Sequence, residues 1–252
     1  MNETRIPPAE AALEVFRARH DGARVIFLAG SVMRGEGTPA SDLDLVVVYE
    51  RLPHAYRESF THGGWPVESF VHDPETLNYF LRESDRRSGF PSLANMLREG
   101  REIPAPCALS RELKRLAAEV LAAGPPALSD EELARRRYFL TDHVDDIRHP
   151  RGDAELVATG AQMYDAAADF YLRSRRHWSA KGKAIPRRLR EADARFAARF
   201  SEAFEALFGE KRPGEVVALV EEMLAPCGGF LFDGFKLDAP ADKRKPFDES
   251  VA

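Results

Sequence analysis

Apolar and polar positions recur with two different periods along the chain, and the change between them falls near residue 110. Residues 8–20 (PAEAALEVFRARH) put Ala12, Val15 and Phe16 at helical spacing, and their Ala and Glu content favours a helix that Asp21-Gly22 ends. ARVIFLAG then runs as a short unbroken apolar stretch, which predicts a strand buried on both faces. After a loop containing Gly35, Gly37 and Pro39, the β-branched segment SDLDLVVVYE predicts a second strand. Gly63-Gly64 precede a third, WPVESFVHD, and Pro74 opens a helix, PETLNYFLRES.

Beyond residue 110, Ala, Leu, Arg and Glu at helical spacing predict helices over 110–123, 129–148, 153–178, 187–208 and 213–225. Pro125-Pro126, the turn at 149–152 and the glycines at 209 and 214 punctuate them. Phe196, Phe200, Phe204 and Phe208 recur every fourth residue and belong on one buried helix face. Residues 89–109 read as a connector, the segment CGGFLFDGF as a piece packing on the body, and the tail from Asp233 as irregular. The pattern predicts an α/β domain over 1–105 and a helical domain over 106–252.

Composition narrows the class. Hydrophobic residues make up 44% of the 252 and charged residues 31%, enough apolar matter for a buried core. Lys and Arg number 36 against 41 Asp and Glu, and a formal charge of −5 argues against a general nucleic-acid binder. No apolar run reaches the roughly 18 residues a membrane span needs, and the opening residues do not read as a secretory signal. Cys107 and Cys227 lack metal-ligand or disulfide spacing, so a reducing cytoplasm is the expected location.

The strongest chemical signal is LAGSVMRGEGTPASDLDLVVV. Asp42 and Asp44, two apart on a predicted strand, send both carboxylates to the same face of a sheet. Such like charges are usually reconciled by a divalent cation, and Mg²⁺ takes carboxylate oxygens while keeping positions for phosphate and water. Gly30-Ser31 ends the preceding strand, where a missing side chain lets a phosphate approach the backbone and Ser31 offers donors. Glu68 on the third strand is costly to bury unless it shares the metal site. Three carboxylates with a phosphate-holding turn suit two-metal phosphoryl or nucleotidyl transfer. Neither a GxxxxGK[ST] loop nor a GxGxxG after a strand occurs.

On Gly30-Ser31, Asp42-Leu43-Asp44-Leu45 and Glu68, the sequence resembles the DNA polymerase β-like nucleotidyltransferases. GSVMRGEGTPASDLDL is similar to the bacterial branch that holds the aminoglycoside and minimal nucleotidyltransferases. WPVESFVHDPETL resembles the third-carboxylate strand of the kanamycin type. The resemblance covers residues 24–77. It implies an α+β nucleotidyltransferase domain with a small mixed sheet, followed by an all-α acceptor-binding domain. It implies transfer of a nucleoside monophosphate from a Mg-NTP, by family frequency ATP, to an acceptor hydroxyl. Gly30, Ser31 and Arg34 would then contact the triphosphate, Asp42 and Asp44 would bind two Mg²⁺ ions, and Glu68 would complete the metal site or act on the acceptor. Some relatives build their site across a dimer, which leaves a homodimer open here.

The second half leaves its chemistry open. Asp142, Asp145, Asp146 and His149 form one helix stripe, and the like charges of Asp142 and Asp146 call either for a cationic acceptor or for pairing with Arg135, Arg136 or Arg148. Relatives that modify aminoglycosides use a second-domain acid as general base, and Glu155, Asp165 and Asp169 are all eligible. The cations around HWSAKGKAIPRRLRE could steer a triphosphate, with Trp178 stacking a base, or form a solvated loop. Two rival readings remain: an antitoxin-like nucleotidyltransferase that binds or modifies a protein partner, and a catalytically idle nucleotide binder.

Overall fold

The computed structural model describes residues 5–244, which divide into two compact units. One holds the chain up to Pro126 together with Arg176–Ser179; the other holds Ala127–Arg175 and the chain from Ala180 onward. Among the described residues no helix is long and apolar enough to cross a membrane. The architecture is a small mixed five-stranded sheet with helices, followed by a helical region, as the pattern and the resemblance predict.

In the first unit, helix α1 (Pro8–Ala18) leads into β1 (Val25–Ala29), the short α2 (Gly30–Met33) and β2 (Leu43–Val48). Strands β3 (Tyr56–His62) and β4 (Trp65–His72) form a hairpin. Helices α3 (Pro74–Tyr79), α4 (Asp85–Ser88) and α5 (Ser92–Glu99), strand β5 (Arg101–Ile103) and helix α6 (Ala108–Ala123) complete it. The sheet order is β3-β4-β2-β1-β5, with β2 and β4 parallel and every other pair antiparallel.

Side-chain alternation sorts the sheet into two faces. Ile26, Leu28, Leu43, Leu45, Val47, Val67 and Val71 pack with Ala11, Ala12 and Val15 of α1. Val25, Phe27, Val46 and Val48 pack on the opposite side with Leu77, Leu97, Leu113 and Ala117 of α3, α5 and α6. Asp44 and Glu68 share the parity of this second face, so the register alone sends them to the same side as Val46.

Strands β3 and β5 and helix α5 are additions to the sequence reading. Strand β3 was missed because its alternation is weak: it is an edge strand, largely exposed, in which Arg57, Ser59 and Thr61 face away from the apolar cluster. Gly63 and Gly64, at φ 55° and 78°, make the two-residue turn that only glycine enters cheaply. Helix α6, placed by sequence at the start of the second half, packs in the first unit's core through Leu113, Ala117 and Val120. Trp178 lies in that same core, and its indole N–H donates to the Leu121 carbonyl at 2.9 Å. It is 7% exposed, so neither base stacking nor a solvated loop describes it.

The second unit comprises α7 (Asp130–Arg148), α8 (Asp153–Ser174), α9 (Ile185–Ala192), α10 (Ala194–Glu210) and α11 (Gly214–Leu224). The predicted aromatic face of α10 is realised: Tyr164 of α8 sits edge-on to Phe200 and Phe204, each 4.9 Å away, and Tyr171 stacks on Phe196. A Cβ on Gly160 would lie 2.8 Å from Leu207 Cδ2, so glycine is what lets α8 and α10 approach there. The helix predicted over 187–208 is broken at Asp193. That carboxylate accepts from Phe196 N at 2.9 Å, capping α10, and from the Tyr171 hydroxyl at 2.8 Å. The CGGFLFDGF segment packs on α7: Arg137 donates to the Gly228 and Gly229 carbonyls at 2.7 and 2.9 Å, and Phe235 stacks on Tyr138 at 4.1 Å.

Candidate functional site

Strand β2 begins one residue after Asp42, so Asp42 sits at the strand's mouth and Asp44 just inside it. Parallel pairing sets Asp44 opposite Glu68, and antiparallel pairing sets it opposite Ala29, the last residue of β1. The fold thus brings together three acids separated by up to 26 positions in sequence. One carboxylate oxygen from each of Asp42, Asp44 and Glu68 lies within 4.8 Å of the others, and all three residues are half-buried.

Gly30 closes one side of this cluster. Its φ of 81° lies in the left-handed region, and a Cβ there would fall 2.0 Å from Asp44 Oδ2. Any side chain would occupy the carboxylate's own space, so this glycine is fixed by close approach as well as by conformation. Ser31 follows in α2, and its hydroxyl donates to Ser41 Oγ at 3.2 Å. Ser41 in turn accepts from Thr38 N at 2.8 Å, and Arg5 donates to the Ser41 and Pro39 carbonyls at 3.1 and 2.8 Å. The loop that delivers Asp42 is therefore tied both to α2 and to the chain ahead of α1.

Two residues of this arrangement were not singled out from sequence. Ser41 had a signal, its place directly before Asp-Leu-Asp. Arg57 had none, because β3 was not recognised as a strand. Arg57 lies opposite Phe70 in the hairpin and one diagonal step from Glu68. Its guanidinium forms an ion pair with Glu68 Oε2 and lies over the Phe70 ring, 4.8 Å from the centroid. Arg34, by contrast, pairs with Glu36 at 2.9 Å and Glu99 at 3.6 Å.

The donor set decides which ions the cluster can serve. Three carboxylates offer only hard oxygen ligands, the kind Mg²⁺ and Ca²⁺ prefer and soft metals do not. A divalent ion among them would also relieve the repulsion of three like charges held a few ångströms apart. The residues present fit such an ion.

Among the described residues a second group, Asp142, His143 and Asp146 of α7, also brings three donor atoms within 4.8 Å. Its two acids are exposed on a helix surface, and a neighbouring arginine, Arg148, pairs with Asp145 at 3.3 Å rather than with either. Of the three acids considered as a base, Glu155 pairs with Arg151 at 3.2 Å and Asp169 with Arg136, while Asp165 is exposed.

Residues 10–86 match the family model of the nucleotidyltransferase domain, a stretch that contains Gly30, Ser31, Asp42, Asp44, Arg57 and Glu68. The match supports nucleotidyl transfer as the general class of activity. The structure is also similar to that of a nucleotidyltransferase-like protein from Exiguobacterium sibiricum 255-15, with a TM-score of 0.43 and 12% identity over 87% of this chain and 75% of that one. No curated protein matches the chain.

Proposed function

We propose that this protein is a Mg²⁺-dependent nucleotidyltransferase that moves a nucleoside monophosphate, AMP from ATP, to the hydroxyl of a small acceptor. The observation that carries the reading is the convergence of Asp42, Asp44 and Glu68 beside the Gly30 turn, within the stretch matching the family. In the reaction the acceptor oxygen attacks the α-phosphorus, the bond to the β-phosphate oxygen breaks, pyrophosphate leaves and the hydroxyl proton passes to a base. Bound Mg²⁺ would supply charge neutralisation at the attacking and leaving oxygens.

The residues divide this work. Asp42 and Asp44 hold the metal, and Glu68 completes the site and orients the acceptor. Gly30 lets the triphosphate approach the backbone, and the Ser31 hydroxyl, exchanging its bond to Ser41, contacts phosphate. Arg34 contributes to phosphate binding by leaving its pairing with Glu36. The first unit carries the nucleotide and the second the acceptor. The acid-rich face of α7 suits a cationic acceptor of the aminoglycoside kind, and the cytoplasm supplies ATP and Mg²⁺.

The test is incubation with Mg²⁺ and ATP labelled on its α-phosphate against aminoglycosides, lincosamides, small alcohols and protein extracts, with Asp44→Asn as control. Label on a small acceptor, lost in the variant, supports the reading. Label on a protein replaces it with the antitoxin-like alternative, and label transfer that survives in Asp44→Asn overturns the metal assignment.

A further inference from the structure

We infer that Arg57 is a positioning residue of the carboxylate site, a built-in counter-ion that holds Glu68 and sets how tightly a divalent cation binds there. The inference rests on the metal reading of Asp42, Asp44 and Glu68. Arg57 stands on β3, outside the strands that carry the acids, and pairs with Glu68 Oε2. The Phe70 ring under its guanidinium, 4.8 Å from the centroid, belongs to the same strand as Glu68 and fixes the arginine's approach. Arginine suits the task because its charge does not titrate and its planar fork grips a carboxylate while one oxygen remains for another partner.

The consequence is electrostatic. A divalent ion at the cluster shares Glu68 with a guanidinium of the same sign a few ångströms away, and that proximity opposes its entry. Arg57 therefore lowers metal affinity while keeping Glu68 in place before the metal arrives.

The experiment measures Mn²⁺ affinity of the full chain by calorimetry or by the electron-spin resonance of free Mn²⁺, without turnover, first alone and then with ATP. Arg57→Gln is expected to bind Mn²⁺ about three- to tenfold more tightly than the wild type. Arg57→Lys, which keeps the charge, is expected to stay near the wild-type value. In a Glu68→Gln background the same Arg57→Gln change is expected to have little further effect, since the carboxylate through which it acts is gone. Unchanged or weaker binding in Arg57→Gln, with the wild type binding normally, overturns the role of Arg57 and leaves the metal site standing. Failure of the wild type itself to bind Mn²⁺, with or without ATP, overturns the metal reading and this inference together.

Discussion

Two clusters of charged groups lie on opposite faces of the same hairpin. On the α1 side, Glu58 accepts from Arg19 at 2.6 Å and lies 3.4 Å from His20, whose other ring nitrogen meets the Tyr49 hydroxyl at 3.0 Å. Bonding to Arg19 holds the Glu58 carboxyl below its ordinary value, and burial pushes His20 down, so an anion and a cation pair beside a neutral imidazole. On the other side, Glu68 joins Asp42 and Asp44, and acid faces acid. In the first cluster the sequence supplies a base for the acid. In the second, Arg57 pairs with Glu68, yet three acids are gathered at strand ends, an arrangement that favours an incoming divalent cation.

One more acid shows another resolution. Asp85 is buried and its carboxylate accepts from Ala94 N at 3.4 Å; burial pushes its pKa up to about 7, so below neutrality the fold keeps it protonated. Paired, gathered and protonated acids should respond differently to mutation.

The largest effect is expected at the gathered cluster. Asp44→Asn should lower nucleotidyl transfer by about a thousandfold while leaving the thermal transition near that of the wild type. Glu58→Gln should leave transfer unchanged. An active Asp44→Asn, or an inactive but folded Glu58→Gln, would break the contrast between the two faces.

Gly30→Ala comes next. With φ at 81° and a Cβ only 2.0 Å from Asp44 Oδ2, the substitution should cost about 3 kcal/mol in chemical denaturation and displace Asp44, so transfer falls with it. A variant as stable and active as the wild type would remove the close approach on which the site is built.

The protonated acid gives a pH signature. The Asp85 pKa is raised from 3.8 to about 7, so the folded state holds a proton the unfolded chain has released, and stability falls as pH rises across that window. His72 runs the other way: burial lowers it from 6.5 to about 4, so its contribution is present above 6.5 and lost as pH falls through 4. The two slopes oppose each other where the windows overlap. Asp85→Asn should therefore be more stable than the wild type at pH 8, by about 2 kcal/mol, and should lose stability on acidification more steeply. Equal stability at pH 8 would show that the fold accommodates the ionised carboxylate.

The smallest effect belongs to the paired acid. Glu58→Gln should cost about 0.5–1 kcal/mol at neutral pH, because the partly exposed Arg19 pair is weakened by solvent. Glu58 holds a depressed pKa, so that difference should vanish as pH falls below its range.

These contrasts were unevenly legible in the chain. Strands β1, β2 and β4 announce themselves because their buried runs are apolar and β-branched, and the acids interrupting them stand out for that reason. Asp44 and Glu68 could be suspected as neighbours, but only the parallel register sets them side by side. Edge strand β3 carries too little apolar pattern to be seen, and Arg57 was hidden with it. The break at Asp193 was masked because helical periodicity continues across it: its local cap onto Phe196 N is an ordinary helix-start signal, while the Tyr171 hydroxyl that also binds it comes from a helix remote in sequence. Trp178 reads as a loop aromatic among cations, yet its segment returns to the first unit's core.

Everything proposed for the site depends on Asp42, Asp44 and Glu68 forming one divalent-cation site. Titrating Mn²⁺ into the wild type and into Asp44→Asn, each with a non-hydrolysable ATP analogue, tests it most directly. Saturable binding is expected in the wild type, and its loss, by at least about a hundredfold in affinity, in the variant. Equal binding in the two proteins would contradict it.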